Sequence, residues 1–473
     1  MTAPLPPWLE DFRARHDATV IETHISWLLL AGALAWKIKK PISLPFLDYG
    51  NAARRRCCCE AELRLNRQFA PDLYLGTEAI GHSDDGEEWA VRMRRFPEAQ
   101  RLDHVCAHGH LRLDQLSALA STLHRFHTRT AVAGPESPFG EPAQVFAQAI
   151  ENFTELIELA PAHADRLAAL EAWTRDEFAR IRPTLAARKA AGRVRECHGD
   201  LHLGNLVLLD DRITPFDCIE FNDSLRWIDV ASEIAFTYID LLDHQRPDLA
   251  TWLLNEWLTV SGDFEAMKVL RFYAVYRAMV RAKVAGLGGE REGVDAYLRL
   301  AGEIASPPPP RLTITFGVSG SGKTTASADL LLADASATTL RLRSDVERKR
   351  LFGLGPLDDS RAVPGGIYTP DSTLRTYAML HDTAGLLLSA GWSVVVDAAF
   401  LRRDERARFL ALASAHCAPM GILACSAPAG ELRRRLLARH GDASEATVDV
   451  LDRQLRWMEP LDADEQARAV GPA

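Results

Sequence analysis

The sequence lacks the cysteine spacing of a disulfide framework or a zinc site. Eight cysteines occur, of which Cys57, Cys58 and Cys59 are consecutive and the others are scattered. Such a set is typical of reduced thiols in a cytosolic protein. A basic, apolar leader is also missing, and the longest apolar run, ISWLLLAGALAW, is too short to cross a bilayer. We therefore expect a cytoplasmic protein without a membrane partner.

Excess positive charge is missing as well. The net charge is −9, and all of it falls before Arg311, because the later residues carry equal numbers of acidic and basic side chains. We find no basic strip interleaved with aromatic residues that would stack nucleic-acid bases. Nucleic acid is therefore not the expected partner, although it is not excluded for the C-terminal part. An acidic first part tolerates a cationic small substrate.

The composition that remains is that of a globular protein, with 47% hydrophobic and 25% charged residues among 473. The clearest boundary is SPPPPR, Ser306 to Arg311, whose prolines favour a short, stiff, extended spacer. We expect a first domain at 1–305, with an N-lobe of about 1–97 and a C-lobe of about 98–305. A linker at 306–310 and a second domain at 311–473 would follow.

The most informative stretch before the spacer is HGDLHLGN, His198 to Asn205. VLLDDRIT after it predicts a strand, a tight turn and a second strand, and Asp217 follows in ITPFDCIEF. One loop and one hairpin would therefore deliver Asp200, Asn205 and Asp217 to a common place. Carboxylate and amide oxygens suit Mg²⁺, and a further carboxylate can take a proton from a hydroxyl. These are the groups that phosphoryl transfer from ATP requires.

The pattern HGD-x4-N followed by a strand-borne Asp resembles the catalytic core of aminoglycoside phosphotransferases and related small-molecule kinases. That family has a protein-kinase-like fold. The resemblance implies that Asp200 is the catalytic base and that Asn205 and Asp217 hold Mg²⁺. It also implies that His198 orients the loop.

The first hundred residues are typical of strands with one helix. ATVIET, SWLLLAG and LAWKIKK predict three strands, and RRRCCCEAELRLNRQF predicts the helix. A kinase needs a lysine on such a strand, paired with a glutamate on the next helix. We prefer Lys37, because Ala-x-Lys matches the family's strand pattern, and keep Lys39 as the alternative. Glu62 is preferred over Glu60 as the partner.

The glycine-rich loop of kinases is absent between the first two strands. The turn there is THIS, so that phosphate contacts would depend on Thr23, Ser26 and backbone amides. Asp229 precedes an apolar helix and is expected to cap it. We interpret the histidines of STLHRFHT, His124 and His127, as structural. Three polar residues after the hairpin either bind substrate or brace the loop: Glu220, Asn222 and Asp223.

A second motif, LTITFGVSGSGKTT, follows the spacer directly. A β-branched strand runs into G-x4-G-K-[ST] and then into a helix, as phosphate binding requires. Glycines let backbone amides turn around phosphates, and the helix N-terminus adds positive charge. Lys323 would reach the β/γ-phosphates, and the Thr324 hydroxyl would bind Mg²⁺. The predicted nucleotide-binding residues are Gly317, Ser319, Gly320, Ser321, Gly322, Lys323, Thr324 and Thr325.

The rest of this half supplies further parts of such a site. GWSVVVDAAF predicts a buried strand that ends at Asp397, a position suited to holding Mg²⁺ through water. LRRRLLARHGDASEA predicts an Arg-rich helix and loop, either a lid that places Arg435 or Arg439 on the transferring phosphate or a solvated basic face.

This half resembles the P-loop kinases that include polynucleotide kinases, gluconate kinases and zeta-toxin-like enzymes. The resemblance implies that Asp345 receives the acceptor hydroxyl as a base. It also implies that Arg348 and Lys349, one turn later, grip an anionic acceptor.

Taken together, the motifs resemble bacterial proteins described as bifunctional aminoglycoside-phosphotransferase-like/ATP-binding proteins. The implied fold is an α+β protein-kinase-like domain of two lobes followed by an α/β P-loop domain with a parallel sheet. We expect an ATP- and Mg²⁺-dependent phosphotransferase with two nucleotide sites and small-molecule hydroxyl acceptors. Alternatively, one domain is a nucleotide-binding regulatory module for the other, or the P-loop half is a polynucleotide 5′-hydroxyl kinase or a zeta-type toxin.

Overall fold

The computed structural model describes residues 4–44, 47–438 and 443–471. The chain divides into two compact units. Unit 1 comprises Met1–Glu155 and Phe178–Asp240, and unit 2 comprises Leu156–Glu177 and Leu241–Ala473.

The elements up to residue 243 are mostly those of unit 1, and three of the helices, α5, α6 and α8, contribute residues to both units. Their bounds are α1 (Pro7–His16), β1 (Thr19–Glu22), β2 (Ser26–Ala31), β3 (Leu34–Lys39), β4 (Ser43–Leu44), β5 (Leu47–Asp48), α2 (Ala52–Asn66), β6 (Tyr74–Ser83), β7 (Gly86–Arg94), α3 (Leu102–Ala107), α4 (Leu113–Arg129), α5 (Pro142–Leu159), α6 (Ala164–Ala190), β8 (Val194–Glu196), β9 (Leu206–Leu209), β10 (Arg212–Pro215), α7 (Asp223–Arg226), β11 (Trp227–Asp229) and α8 (Val230–Asp243).

The main sheet of unit 1 is antiparallel, with the strand order β1-β2-β3-β7-β6. Alternation along β3 separates its side chains onto two faces. Trp36 and Ile38 pack with Phe12 of α1, whereas Ala35 packs on the other face with Cys59 of α2. Lys37 shares the face of Ala35, so that the sequence alternation directs it toward α2.

The predicted hairpin after the first motif is present. β9 and β10 pair from Leu206↔Pro215 to Leu209↔Arg212. The two-residue turn between them is Asp210 (φ 48°) and Asp211 (φ 62°), and a hairpin turn of this kind needs positive φ at both positions. The loop 198–205 therefore ends in a rigid hairpin that returns the chain toward Asp217.

Residues from 247 onward belong to unit 2. Their elements are α9 (Pro247–Ser261), α10 (Leu270–Leu287), α11 (Arg291–Ala305), β12 (Leu312–Phe316), α12 (Lys323–Leu332), β13 (Thr339–Arg343), α13 (Ser344–Leu351), α14 (Pro370–Ser389), β14 (Ser393–Asp397), α15 (Arg403–Ala415), β15 (Met420–Ala424), α16 (Ala429–Leu437), α17 (Val448–Trp457), α18 (Ala463–Ala467) and β16 (Ala469–Val470).

The sheet of unit 2 is parallel, with the strand order β13-β14-β12-β15-β16. The run Val394 to Val396 in β14 is buried, as expected for a strand covered on both faces. Parallel strands place their carboxyl ends at one edge, which brings the P-loop, Asp345 and Asp397 to the same side of the sheet. The predicted fold class, a kinase-like α+β domain followed by a P-loop α/β domain, is confirmed.

Residues upstream of the proline segment contact the elements of this parallel sheet. Asn255 of α9 accepts a hydrogen bond from the Arg341 amide (2.7 Å) and donates to the Thr339 carbonyl (3.0 Å) on β13, the edge strand. The Trp392 indole donates to the Met267 carbonyl at 2.9 Å. The proline segment joins α11 to β12 within unit 2, and the division at 306–310 stays a prediction about independent folding.

Among the described residues, none of the helices combines the length and apolar character that crossing a membrane requires.

Candidate active sites

The loop that carries the first motif is fixed by a buried carboxylate on α8. Glu233 accepts hydrogen bonds from the His198 amide (3.1 Å) and the Gly199 amide (2.9 Å), and His127 Nε2 lies 3.2 Å from it. Burial opposes the charge, but the hydrogen bonds from His127 and the loop hold the pKa of Glu233 below its usual value. Glu233 therefore fixes the loop as a charged anchor, and the contact of His127 with it agrees with the expected structural role.

Backbone conformation explains the glycine in HGD. Gly199 has φ +91°, and a Cβ there would lie 2.8 Å from the Leu225 carbonyl oxygen. Further along, Asp240 accepts the Leu203 amide at 2.7 Å. The loop is thus tied at both ends before any substrate binds.

Asp200 and Asn205 meet within this loop. The Asn205 side-chain amide donates to the Asp200 carbonyl and to Asp200 Oδ2, both at 2.9 Å. That orientation directs the Asn205 oxygen away from Asp200 and makes it suitable for a hard cation. His202 Nε2 lies 3.4 Å from Asp200 Oδ2. His198 joins the loop to the hairpin, since its Nε2 lies 2.8 Å from the Phe216 carbonyl.

Lys37 lies between two carboxylates. Its ammonium donates to Glu62 Oε1 at 3.1 Å and also to Asp217. Burial opposes the charge on Asp217, but the ammonium of Lys37 holds its pKa below the usual value. Glu60, the alternative partner, is exposed and pairs with Arg56 at 3.0 Å. The structure thus brings Lys37, Glu62 and Asp217 together, as the preferred assignments require.

Lys39 occupies a separate place rather than an equivalent one. It is fully buried and contacts the second oxygen of Glu62 and the carboxylate of Glu220. The Tyr49 hydroxyl donates to the same Glu220 carboxylate. These buried contacts favour a bracing role for Glu220 over a role in binding substrate.

The other polar residues of this unit mostly serve local structure. Thr23 accepts the Ser26 amide (3.0 Å) and donates to the Ser26 carbonyl (2.9 Å), so that its hydroxyl closes its own turn. Asn222 caps α7 by accepting the Ser224 amide at 3.0 Å. Asp229 accepts the amide of Ala231 and pairs with Arg188, as a helix cap does. Asp223, in the first turn of α7, pairs with Arg226.

The two residues implied as Mg²⁺ ligands in this unit carry the oxygen atoms that such an ion prefers. Asp217 adopts φ +65°, and its amide donates to the Tyr74 hydroxyl at 3.0 Å. This conformation places its carboxylate, which is 37% exposed, on the side of Lys37. Asp217 and the amide oxygen of Asn205 are the oxygen donors that would hold the ion, with water in its remaining positions.

The P-loop of unit 2 has the shape that phosphate binding requires. Gly317, Gly320 and Gly322 have φ of 154°, 84° and 95°. A Cβ on Gly317 would lie 2.3 Å from the Cys425 carbonyl oxygen, so that only glycine fits. Lys323 donates to the carbonyls of Gly317 and Val318, both at 2.9 Å. The buried Ser321 hydroxyl has no hydrogen-bond partner among the described residues, as expected for a group that awaits a ligand.

Polar side chains from β13 and β14 support the helix that follows the P-loop. The Arg341 guanidinium donates to the Thr324 carbonyl at 3.2 Å. The Ser327 hydroxyl lies 3.4 Å from Asp397 Oδ2, which places the end of β14 beside the first turns of α12. Asp397 is 5% exposed and lines the same cavity as Thr324. The two suggested Mg²⁺ ligands therefore border one space.

That space is a cavity of about 1460 Å³. Its lining includes the P-loop from Ser319 to Thr325, together with Asp345, Arg348, Asp397 and Arg435. Asp345 lies in the first turn of α13. Lys349 was expected beside Arg348 at the acceptor, but it is buried in a salt bridge with Glu445 (2.9 Å) and does not line the cavity.

The Arg-rich helix α16 is only partly directed at the P-loop. Arg435 donates to the Gly320 carbonyl at 3.4 Å and pairs with Glu431 at 2.6 Å. Arg433 and Arg434 are held by carboxylates on the protein surface. Arg439 lies outside the described residues.

A family model described as an AAA domain matches residues 312–461. Two mycobacterial proteins resemble nearly the whole chain: uncharacterized protein Rv2004c of Mycobacterium tuberculosis (strain ATCC 25618 / H37Rv) and uncharacterized protein Mb2027c of Mycobacterium bovis (strain ATCC BAA-935 / AF2122/97). Each is 32% identical over 448 residues, which cover 91% of this chain and 88% of the relative. The chain belongs to their family.

Solved structures similar to this family member include a choline/ethanolamine kinase family protein from Mesorhizobium loti (TM-score 0.41, 12% identity, 64% of this chain and 96% of that one). A GDP and kanamycin complex of APH(2")-IIia has a TM-score of 0.40 and 12% identity, covering 63% and 97%. A Pnkp1/Rnl/Hen1 complex has a TM-score of 0.23 and 22% identity, covering 28% and 40%. These scores are too low to support a functional argument, and the fold rests on the topology described above.

Sequence reasoning missed several residues that line or support the two candidate sites of this protein. Trp252 and Glu256, on α9, line the P-loop cavity although they precede the proline segment. Gln454 of α17 accepts the Ser319 amide at 2.7 Å. Nothing in the local sequence around these residues marks them, because their place depends on which helices pack beside the parallel sheet. Glu233 and Asp240, i, i+7 on an apolar helix, were a readable signal for buried anchors.

Proposed function

We propose that the protein is an ATP-dependent phosphotransferase with two nucleotide sites, each of which transfers the γ-phosphate to a hydroxyl of a small molecule. The observation that carries the proposal is Lys37, which lies between Glu62 and Asp217 in the unit that also presents Asp200 and Asn205 on one anchored loop. A lysine held by a glutamate, a base and two oxygen ligands for a metal are the parts of a kinase site.

At the first site, Asp200 would accept the proton of the acceptor hydroxyl. The acceptor oxygen then forms a bond to the γ-phosphorus while the bond to the bridging oxygen of ADP breaks, and ADP leaves with that electron pair. Lys37 would bind the α/β-phosphates once its ammonium turns from Asp217. Bound Mg²⁺ would supply charge neutralisation on the phosphates, held by Asn205 and Asp217.

At the second site, the amides of the P-loop and Lys323 would bind the phosphates, and Thr324 and Asp397 would hold Mg²⁺. Asp345, in the first turn of α13, would take the proton of the second acceptor. Arg435 lies close enough to the P-loop to contact a transferring phosphate, since its Nη1 reaches the Gly320 carbonyl. The paired state of Arg433 and Arg434 favours a small acceptor over a polynucleotide.

The test is ATP-dependent phosphorylation of a panel of metabolites and aminoglycosides by full-length protein. We expect that Asp200→Ala removes one set of products and Lys323→Ala removes another. Asp84→Ala, at an exposed residue, and Lys268→Ala, at a half-buried residue that pairs with Glu265, are the matched controls outside both sites and should change neither. Full activity of Asp200→Ala on all acceptors would remove the first site from catalysis and leave it a nucleotide-binding regulatory module.

A further inference from the structure

Two lysines of β3 contact two carboxylates of the segment after β10. Lys37 contacts Asp217, and Lys39, two residues later, contacts Glu220, three residues after Asp217. Glu62 of α2 lies between the pairs and gives one carboxylate oxygen to each lysine. Two ion pairs therefore join β3 and α2 to residues 216–221. We call these residues the metal-binding segment, because they include Asp217, the Mg²⁺ ligand proposed for the first site.

The two ion pairs differ in their exposure to solvent. The Asp217 side chain is 37% exposed and that of Lys37 is 11% exposed. The side chains of Lys39 and Glu220 are 0% and 3% exposed. A metal ion or a phosphate can therefore contact the first pair, whereas neither can contact the second.

The surroundings of the second pair keep it closed. The Tyr49 hydroxyl donates to the Glu220 carboxylate, and the Lys39 ammonium lies 5.3 Å from the centre of the Tyr49 ring. Arg226 donates to the Glu220 carbonyl at 3.4 Å. Separating Lys39 from Glu220 would leave the buried Glu220 carboxylate with the Tyr49 hydroxyl but without its cation, which is strongly unfavourable.

The first pair, in contrast, has to open if the first site works as proposed. Lys37 has to turn toward phosphates and Asp217 toward Mg²⁺, and both belong to segments that the second pair also joins. Loss of Lys39 would remove one of the two lysines that share Glu62 and would leave Lys37 as the lysine that faces both Glu62 and Asp217. Lys37 would then be held by Glu62 and Asp217 instead of being released.

We propose that Lys39 and Glu220 are positioning residues. They hold β3 against the metal-binding segment while the contact between Lys37 and Asp217 opens, so that Lys37 can bind the nucleotide phosphates and Asp217 can bind Mg²⁺. This role rests on the proposed function of the first site. Neither residue touches the reacting atoms, and both act through Glu62, Lys37 and Asp217.

The test uses full-length protein with Lys323→Ala, so that only the first site binds nucleotide. We expect Lys39→Met to weaken Mg²⁺-dependent ADP binding, measured by titration calorimetry, about 10- to 100-fold, the usual effect of losing a residue that orients metal ligands. Hydrogen exchange of the amides at 216–221, measured without nucleotide, should become faster. Unchanged affinity together with unchanged exchange would overturn the proposal.

Lys40→Met is the matched control. Lys40 adjoins β3, pairs with Glu22 at 2.7 Å and bonds the Thr23 carbonyl. None of these contacts involves Glu62, Asp217 or Glu220, so that its loss should not speed the exchange at 216–221. An equal effect of Lys40→Met and Lys39→Met would also overturn the proposal, because it would show a general response of the strand.

A double variant separates positioning from simple stability. Lys39→Met with Glu220→Met replaces a buried ion pair by apolar groups, which can restore thermal stability. We expect a recovered melting temperature and persistently weak ADP binding, and recovery of both would overturn the proposal. If Lys39→Met does not fold, Glu220→Asp retains the charge but withdraws it by one methylene, and should weaken ADP binding without unfolding.

The failure of the proposed function has a different signature. If Lys323→Ala protein binds no nucleotide at all, the first site is not a nucleotide site. The exchange of 216–221 in Lys39→Met and Lys40→Met still decides whether the second pair holds the segment in place.

Discussion

The ammonium of Lys37 contacts the carboxylate of Asp217, although 180 positions separate the two residues in the chain. The contact joins the central strand of an antiparallel sheet to the segment that follows the β9–β10 hairpin. The Lys37 ammonium compensates the negative charge of the Asp217 carboxylate. The same two side chains would bind phosphate and Mg²⁺ in the proposed reaction, so that the contact marks the point at which nucleotide enters the first site.

Glu62→Gln tests the partner of Lys37. The substitution removes the negative charge that both buried lysines share, and misplacing one such group costs about 100-fold in turnover. We expect that loss in acceptor phosphorylation by the first site, with activity that depends on Lys323 unchanged. Glu60→Gln is the control, since Glu60 lies two residues away on the exposed face and pairs with Arg56. Equal losses in both variants would contradict the assignment.

Gly199→Ala tests the backbone of the loop 198–205. The left-handed conformation alone costs an L-residue about 1–2 kcal/mol, and the new Cβ would meet the Leu225 carbonyl oxygen at 2.8 Å. We expect a lower free energy of unfolding and reduced turnover at the first site, measured by urea titration and by product formation. Gly76→Ala on β6, where a Cβ meets nothing within 4 Å, should change neither.

Glu233→Gln tests the anchor of that loop through its pH dependence. The folded-state pKa of Glu233 lies below its ordinary value of 4.5. Its charge therefore stabilises the protein above pH 4.5, and this contribution is lost as the pH falls through the folded-state pKa. We expect the variant to lose about 3 kcal/mol of unfolding free energy at pH 7 and to respond less to acid below pH 4.5.

Urea titrations at pH 7 and pH 4 measure this difference. Glu60→Gln is again a suitable control, because its carboxylate is exposed. A variant as acid-sensitive as the wild type would show that the charge of Glu233 is not what holds the loop.

Fragments of unit 2 test how the P-loop sheet is completed. A fragment that begins at Arg311 leaves the edge strand β13 without Asn255 and the Trp392 indole without the Met267 carbonyl. An exposed edge strand favours aggregation. We expect this fragment to be less soluble and less stable than one that begins at Pro247, as measured by yield of monomer and thermal unfolding.

A point substitution makes the same test in the full chain. Asn255→Ala leaves the Thr339 carbonyl and the Arg341 amide unpaired, at a cost of about 1–3 kcal/mol. We expect weaker nucleotide binding by the P-loop as well, because Arg341 also holds the Thr324 carbonyl. Two fragments of equal stability, or an unaffected Asn255→Ala protein, would show that the helices before the proline segment are dispensable.

Local patterns in the sequence were sufficient for many elements. The hairpin around Asp210 and Asp211 and the strand–loop–helix of the P-loop follow from turn chemistry and alternation, which act over a few residues. The preference for Glu62 over Glu60 agrees with the contacts because helical spacing distinguishes a buried face from an exposed one. The prediction that Lys349 lies at the acceptor was wrong for a related reason. Successive residues of a helix point in different directions, so that Arg348 lines the cavity while Lys349 pairs with Glu445.

The sequence by itself predicted the chemistry that we propose for both sites: a base, oxygen ligands, a lysine on a strand and a phosphate-binding loop, each written within a short segment. The tertiary structure decided what holds them. Glu220 became a brace for Lys39, Glu233 became the anchor of the first loop, and α9 joined the P-loop sheet across the proline segment. Such relations join residues distant in the chain, and they are decided by which buried charges and edge amides must find partners, a requirement that no local pattern records.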